Sequence, residues 1–259
     1  MNDRDYSAMP GIRRSDLWKI NRSPLHFRYY MDSPEEEQSP ALVFGSAAHA
    51  AILEGWEAFE KEYATCPNLD RRTKEGKQKY FEFVESAGSK TLISNEDFVK
   101  IAAMREVFWN DPRVIELLSN PYKTEVPFQW IDGKTGEPCK CKADIITTDG
   151  NGMPVIVDYK TTMAADYRSF RSSARKFGYD FQAGFYTEGI DLSTLEKHSF
   201  VFIVQEKESP FAVAIYECDE SMLIQGRRKF RELLAKYHEC RMKDEWPGYE
   251  TEMLYGEEI

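Results

Sequence analysis

The stretch KCKADIITTDGNGMPVIVDYKTT, residues 140–162, decides the fold of this chain. Two strand-like runs flank residues 149–152, where Asp, Gly and Asn tolerate positive φ angles. This pattern predicts a β-hairpin that brings Asp144 near Asp158. The apolar run at residues 155–157 is typical of a central strand, so Asp158 is expected at the end of a buried element.

Asp158 and Lys160 stand two positions apart on the second strand of this hairpin. Strand side chains alternate between faces, so both should share one face while Tyr159 points to the other. Two carboxylates and an ammonium at a strand end suit a divalent cation and an attacked phosphate, because Mg²⁺ prefers oxygen ligands. A solvated strand end is the alternative interpretation of an isolated D-x-K pattern.

Length, charge and cysteines limit the class of protein. The chain has 259 residues and a formal net charge of −10, and the acids of residues 32–37 and 244–259 account for that excess. The remaining body is neutral, so a phosphate-binding surface is allowed. No signal peptide or membrane-length apolar run is recognisable, and the five cysteines are odd in number. We therefore expect a reduced, cytoplasmic protein with no membrane partner.

The order of predicted elements is helices first, then three strands, a helical pair, two strands and a helix. This order predicts an α/β fold with a mixed central β-sheet flanked by helices and a helical N-terminal half. We expect a single domain over residues 1–259. It would contain a mainly helical part (1–120), an α/β core (121–243) and an acidic tail (244–259).

Further candidate residues lie outside the hairpin. His49 falls in a small-residue helix predicted over residues 40–53, and imidazole is a common metal ligand, although a lone His is also common in cores. Gln182 and Tyr186 share one helix face. Glu125, on the first predicted strand, either faces the metal site or is an exposed edge acid. Arg28 lies among cations and aromatic residues that can bind phosphate, although they equally suit an ordinary amphipathic helix. Arg168, Arg171 and Arg175 follow the second hairpin strand in a helical stretch with only Asp166 opposing them.

Taken in series, His49, Asp144, the triplet of residues 158–160 and Gln182-x-x-x-Tyr186 resemble the RecB-type branch of the PD-(D/E)xK nuclease superfamily. That branch has a mixed sheet flanked by helices. The segments SPLHFRYY (23–30) and ALVFGSAAHAAILE (41–54) are similar to the leader of the RecE-like exonucleases, exodeoxyribonuclease VIII among them, which are often carried by phages or prophages.

The resemblance implies roles for these residues. Asp144, Asp158 and Lys160 would be catalytic. Mg²⁺ or Mn²⁺ would be held by His49, Asp144, Asp158 and the backbone carbonyl of Tyr159. Gln182 and Tyr186 would orient the scissile strand, with Arg168, Arg171 and Arg175 on backbone phosphates and Arg28 a candidate for a terminal 5′ phosphate.

The resemblance also implies a substrate and partners. Linear duplex DNA would be degraded from its ends, 5′ to 3′, leaving 3′ single-stranded overhangs for a RecT-type single-strand annealing protein in a bacterial host cell. A ring-shaped homo-oligomer, trimer or tetramer, is expected. The cysteine placement predicts no iron–sulfur cluster, and the lack of a G-x-x-x-x-G-K-[ST] motif predicts no use of ATP. The alternatives are a RecB-like repair endonuclease, a single-strand exonuclease or a catalytically silent DNA-end-binding module.

Overall fold

A computed structural model describes residue 6 and residues 8–33 and 39–249. Most of the predicted acidic tail and acidic residues 35–37 lie outside these described residues. Within the described part of the chain, none of the helices is both long enough and apolar enough to cross a membrane.

The N-terminal part begins with two short helices, α1 (Arg14–Arg22) and α2 (Pro24–Asp32). They separate at Ser23, whose hydroxyl accepts a hydrogen bond of 3.3 Å from the backbone N–H of His26. Pro24 occupies the first turn of α2, where its missing N–H costs nothing. Ser23 and Pro24 therefore mark the boundary between the two helices.

The predicted buried helix at residues 40–53 is α3 (Pro40–His49), which continues as a π-helical turn (Ala50–Glu54). Helices α4 (Trp56–Glu62), α5 (Lys74–Ala87), α6 (Asn95–Asn110) and α7 (Pro112–Leu117) follow. The sequence pattern predicts only helix here. The structure adds two three-residue strands, β1 (Tyr63–Thr65) and β2 (Thr91–Ile93), which pair in parallel. Strands this short carry no detectable alternation.

The central sheet has five strands: β3 (Lys123–Ile131), β4 (Pro138–Thr148), β5 (Pro154–Thr162), β6 (Ser199–Glu206) and β7 (Val213–Glu217). They lie in that order, with β5 and β6 parallel and the other neighbours antiparallel. Strand β5 is central, as its apolar run predicts, and the proline-containing β3 is an edge strand. The mixed sheet expected from the sequence is confirmed.

Helices cover both faces of this sheet. Helices α8 (Tyr167–Phe177) and α9 (Tyr179–Thr194) lie between β5 and β6 in the chain, and α10 (Glu220–Lys243) follows β7. Along β5, Ile156 packs in the core that contains Phe181 and Phe230, from α9 and α10. Val157 packs in the other core with Phe108 of α6. Successive side chains of β5 therefore pack into the two cores on opposite faces of the sheet.

The β4–β5 hairpin turns where the sequence predicts. The side chain of Asp149 accepts hydrogen bonds of 2.8 Å from the backbone N–H groups of Asn151 and Met153. Gly152 adopts φ +80°, which glycine reaches without strain. The paired register runs from Thr148 opposite Pro154 to Ile145 opposite Val157. Beyond that pair the two strands separate, and Asp144 and Asp158 stand at the opening.

Candidate active site

Three neighbouring strands place acidic residues at the same level of the sheet. The β3–β4 register pairs Thr124 with Ile145 and Val126 with Ala143, so Glu125 stands opposite Asp144. Glu125 has φ +52°, a left-handed conformation that L residues with a side chain adopt at a cost of about 1–2 kcal/mol. Such strain is concentrated at functional sites in proteins. The alternative of an exposed edge acid is excluded, because the Glu125 side chain is only 15% exposed.

His49 brings these two carboxylates together from the end of helix α3. Its Nε2 lies 2.9 Å from Oδ2 of Asp144, and its Nδ1 lies 3.4 Å from Oε1 of Glu125. One donor atom from each of the three residues lies within 4.8 Å of the others. The second oxygen of Glu125 forms an ion pair with Lys142 of β4.

Tyr159 connects this cluster to the core. Its backbone N–H donates a hydrogen bond of 2.8 Å to Oδ2 of Asp144. Its side chain points to the opposite face of the sheet, as predicted, where its hydroxyl donates to Oε1 of Gln205 at 2.7 Å. The Gln205 amide donates in turn to the carbonyls of Met104 and Phe211, at 2.8 and 3.2 Å. Tyr159 is thereby held by its backbone at the site and by its hydroxyl in the core.

Asp158 and Lys160 form the second half of the site. Nζ of Lys160 lies 2.6 Å from Oδ2 of Asp158, which is only 1% exposed. The side-chain amide of Gln182, on the first turns of α9, donates a 2.5 Å hydrogen bond to Oδ1 of the same carboxylate. A buried carboxylate is thus held by an ammonium and an amide from different elements.

Burial and neighbouring charges together raise the pKa values of His49, Asp158 and Lys160. Burial lowers the pKa of His49, but Asp144 and Glu125 outweigh it and raise that pKa to about 10. Burial raises the pKa of Asp158 to about 6, with the Asp144 charge adding to it and Lys160 opposing it. Burial likewise lowers the pKa of Lys160, but Asp158 and Asp144 reverse this, so the raised pKa keeps the ammonium charged.

The donor set fits a divalent cation. Imidazole nitrogen and carboxylate oxygens are ligands for Mn²⁺, and the carboxylates suit Mg²⁺. Oδ2 of Asp158 is buried and, within the described residues, accepts no hydrogen bond of good geometry despite its proximity to Lys160. It therefore retains lone pairs for another partner. His49, Glu125, Asp144 and Asp158 are the residues that would hold the ion.

The predicted DNA-binding residues divide into three groups. Gln182 lies in the site, while Tyr186, one turn later, is half-buried against Phe200. Arg28 does not reach the cluster by any contact in the described structure, because its guanidinium pairs with Asp32 at 2.7 Å on the surface of α2. The third group lies on helix α8, which follows β5: Arg168, Arg171 and Arg175.

Two residues of the site are missed by the sequence reasoning. Lys142 stands two positions before Asp144 on β4, and this K-x-D spacing predicts that both side chains lie on the same face of the strand. Gln205 ends the apolar run of β6, where a polar residue on a buried strand indicates a specific partner. The partner itself, the Tyr159 hydroxyl, is a tertiary contact that the pattern does not show.

Comparisons with known proteins agree with this geometry. Residues 14–255 match a family described as "PDDEXK-like domain of unknown function (DUF3799)". A crystal structure named as a putative exonuclease from Eubacterium rectale superposes with a TM-score of 0.65 and 15% identity, covering 95% of this chain and 87% of that one. At that identity the likeness shows the fold.

Two other comparisons gave no comparable likeness. The crystal structure of SSO0001 reaches a TM-score of 0.37 at 14% identity over 89% of this chain and 81% of that one. Among curated proteins none matches the sequence. With a family match over nearly its whole length and a mixed sheet that carries the Asp158–Lys160 pair, the chain belongs to the PDDEXK-like family DUF3799 and has the fold of the PD-(D/E)xK nuclease superfamily.

Proposed function

We propose that this protein is a divalent-cation-dependent exonuclease that hydrolyses linear double-stranded DNA from its ends. One observation carries the proposal. The His49–Glu125–Asp144 cluster and the Asp158–Lys160 pair meet where strands β4 and β5 separate. A cluster of imidazole and carboxylate ligands beside a half-buried ammonium suits hydrolysis of a phosphodiester, in which negative charge develops on the attacked phosphate.

The residues of the site would divide the work as follows. A bound Mg²⁺ or Mn²⁺ supplies Lewis-acid stabilisation of the charge that develops at phosphorus. Lys160, whose raised pKa keeps it protonated at neutral pH, would orient the attacking water and neutralise charge on the phosphate. Gln182 fixes one oxygen of Asp158, and the backbone N–H of Tyr159 fixes Asp144. Tyr186 and the arginines of α8 would contact the DNA strand.

The finer parts of the proposal are supported by the resemblance of residues 23–30 and 41–54 to the RecE-like leader. They are 5′-to-3′ polarity, 3′ single-stranded overhangs as products, a RecT-type annealing partner, a ring-shaped trimer or tetramer, a phage or prophage origin and action in the bacterial cytoplasm. A ring around DNA would give processivity without ATP.

The test uses two duplex DNA substrates. Purified protein is incubated with a linear duplex bearing 5′ phosphates and with a covalently closed circular duplex, each with Mg²⁺, Mn²⁺ or EDTA. We expect loss of the linear DNA alone, abolished by EDTA and reduced by a factor on the order of 10³ or more in Asp158→Ala. Labelling either the 5′ or the 3′ end reads out the polarity.

Other outcomes favour the alternatives. Cleavage of the circle would replace the exonuclease by an endonuclease. A linear single strand is assayed as a third substrate, and its digestion without loss of either duplex would indicate a single-strand exonuclease. DNA that is bound but uncut would favour a silent end-binding module, and a protein that neither binds nor cuts DNA would overturn the nuclease proposal. The control is Glu85→Ala, which removes an exposed acid from helix α5.

A further inference from the structure

A cavity of about 570 Å³ lies between helix α8 and the first turns of α10, separate from the His49 cluster. Its floor is formed by Phe202 of β6 and Tyr216 of β7, and Phe170 of α8 forms one wall. The rings of Phe170 and Tyr216 stack with centroids 4.7 Å apart and an interplanar angle of 7°. The volume falls within the range of about 300–1,000 Å³ that is typical of ligand sites.

Cations project into this cavity from both helices. Arg171 and Arg175 come from α8, and Lys229 comes from α10. Within residues 8–33 and 39–249, none of these three side chains forms an ion pair with a carboxylate, and Lys229 instead lies 4.8 Å from the ring of Trp18. Each of these three cations is therefore available to contact an anionic group of a ligand, such as a phosphate.

Acidic residues also line the cavity: Asp180, Glu217 and Asp219. Asp219 is engaged as the N-cap of α10, where its Oδ1 accepts a 2.8 Å hydrogen bond from the N–H of Met222. The carboxylate keeps its negative charge in that role, so the lining carries three cations and three acids. The mixture of cations, acids and stacked rings suits a ligand with both phosphates and polar bases.

The cavity is one aromatic ring away from the catalytic pair. Nζ of Lys160 lies 5.4 Å from the ring centroid of Tyr179. The same ring lies 5.5 Å from Phe202 and 5.6 Å from Phe170, two residues of the cavity lining. Phe202 is also the register partner of Asp158 across β5 and β6. Tyr179 therefore lies between the catalytic pair and the lining of the cavity, within ring-contact distance of both.

We propose that this cavity binds a segment of single-stranded DNA, the strand that remains when its complement is hydrolysed. Phosphates would contact Arg171, Arg175 and Lys229, and bases would stack on Tyr167 and Tyr216. Single-strand binding grooves combine these two features, cations along the backbone and aromatic platforms for the bases. The inference rests on the proposed nuclease function and adds to it a site for the strand that is not cut.

The experiment measures binding of a fluorescent oligo(dT) of about 12 nucleotides by anisotropy, in EDTA so that no hydrolysis occurs. Two neighbouring pairs on the same helices provide matched charge changes. Arg175→Gln is compared with Lys176→Gln, and Lys229→Gln with Arg228→Gln; Lys176 and Arg228 do not line the cavity. We expect the cavity variants to weaken binding about tenfold each and the neighbours less than about twofold.

A second variant tests the aromatic platform. Tyr167 is 66% exposed, so its removal should leave the fold intact. Tyr167→Ala should weaken oligo(dT) binding about tenfold, and an iodo-deoxyuridine oligonucleotide should crosslink to Tyr167 or Tyr216. Equal losses in the cavity variants and their neighbours would overturn the site, because a diffuse charge effect would then explain them. Competition by dTMP as strong as that by the oligonucleotide would overturn the strand assignment in favour of a product nucleotide.

The same proteins are also assayed on linear duplex with Mg²⁺. If duplex is digested but oligo(dT) binding is insensitive to the cavity variants, this inference alone fails. If no DNA is digested under any condition, the proposed function fails, whatever the oligonucleotide does.

Discussion

The side-chain amide of Gln182 donates a 2.5 Å hydrogen bond to Oδ1 of Asp158. The two residues come from different elements, helix α9 and strand β5, and both are buried. The contact leaves Oδ2 of Asp158 facing Lys160 and free of other hydrogen bonds within the described structure. Gln182 thus selects which oxygen of the carboxylate is presented to the site.

Replacing Gln182 by Ala should therefore reduce hydrolysis of linear duplex by about 10- to 100-fold, the usual cost of losing a residue that orients a metal ligand. The half-saturating Mg²⁺ concentration should rise as well, which a Mg²⁺ titration of the initial rate would measure. Gln78→Ala is the control, because Gln78 is exposed and contacts Glu82 on the surface. A loss of rate with unchanged Mg²⁺ dependence would contradict an orienting role and favour contact with the DNA.

Cation binding should release a proton from His49. Its pKa of about 10 means that the metal-free imidazole is protonated at neutral pH, whereas a metal ligand must be neutral. At pH values below that pKa, the apparent affinity for Mn²⁺ should therefore rise by up to about tenfold for each pH unit. Calorimetry in two buffers of different ionisation enthalpy counts the protons, and we expect about one per site.

The same shift predicts how the metal-free protein responds to alkali. The folded pKa of about 10 lies above the ordinary 6.5, so the His49–Asp144 pair stabilises fully below about pH 6.5 and is lost as the pH rises to about 10. Denaturant unfolding in EDTA should show this decline in the native protein and not in His49→Gln. An unchanged free energy of unfolding over that pH interval would contradict the prediction.

Glu125 should show a conflict between stability and function. Because its φ is +52°, a glycine at this position relieves the strain that alanine retains. The free energy of unfolding of Glu125→Gly, measured with urea in EDTA, should be about 1 kcal/mol higher than that of Glu125→Ala. Both variants lose the carboxylate and should be equally impaired in metal-dependent cleavage. Equal stabilities would show that the backbone relaxes without the glutamate.

The contact between α9 and α10 predicts a large effect of one methyl group. A Cβ added at Gly226 would lie 1.9 Å from the carbonyl oxygen of Asp180. Gly226→Ala must therefore push the helices apart, and we expect a loss of about 3 kcal/mol in the free energy of unfolding. Gly133→Ala is the matched control, since nothing lies within 4 Å of its added Cβ. Similar melting temperatures for both variants would contradict the close packing.

Much of this architecture follows from local pattern. The alternation around Tyr159 predicts which side chains share a face with Asp158, and the turn at residues 149–152 predicts the hairpin. Other features arise only from tertiary contacts. The Gln182–Asp158 hydrogen bond joins residues 24 apart in the chain, and helix periodicity cannot select its partner.

Three further structural features are not predictable from the sequence pattern, each for a different physical reason. The left-handed backbone of Glu125 opposes the intrinsic preference of an L residue, so no propensity predicts it. The short strands β1 and β2 provide too few positions for alternation to appear. Arg28 carries the right charge for a phosphate, but the chain turns it toward Asp32, and charge alone does not fix direction.

Tyr159 joins the site to the interior of the protein. Its N–H contacts Asp144, while its hydroxyl reaches Gln205, which also binds the carbonyls of helix α6 and of the segment before β7. Phe108 packs edge-on against the same ring, with centroids 5.5 Å apart. The ligand cluster is therefore anchored to buried residues of the core. On heating, it should keep its shape until the whole sheet melts, so that cation binding and tertiary structure disappear in a single transition.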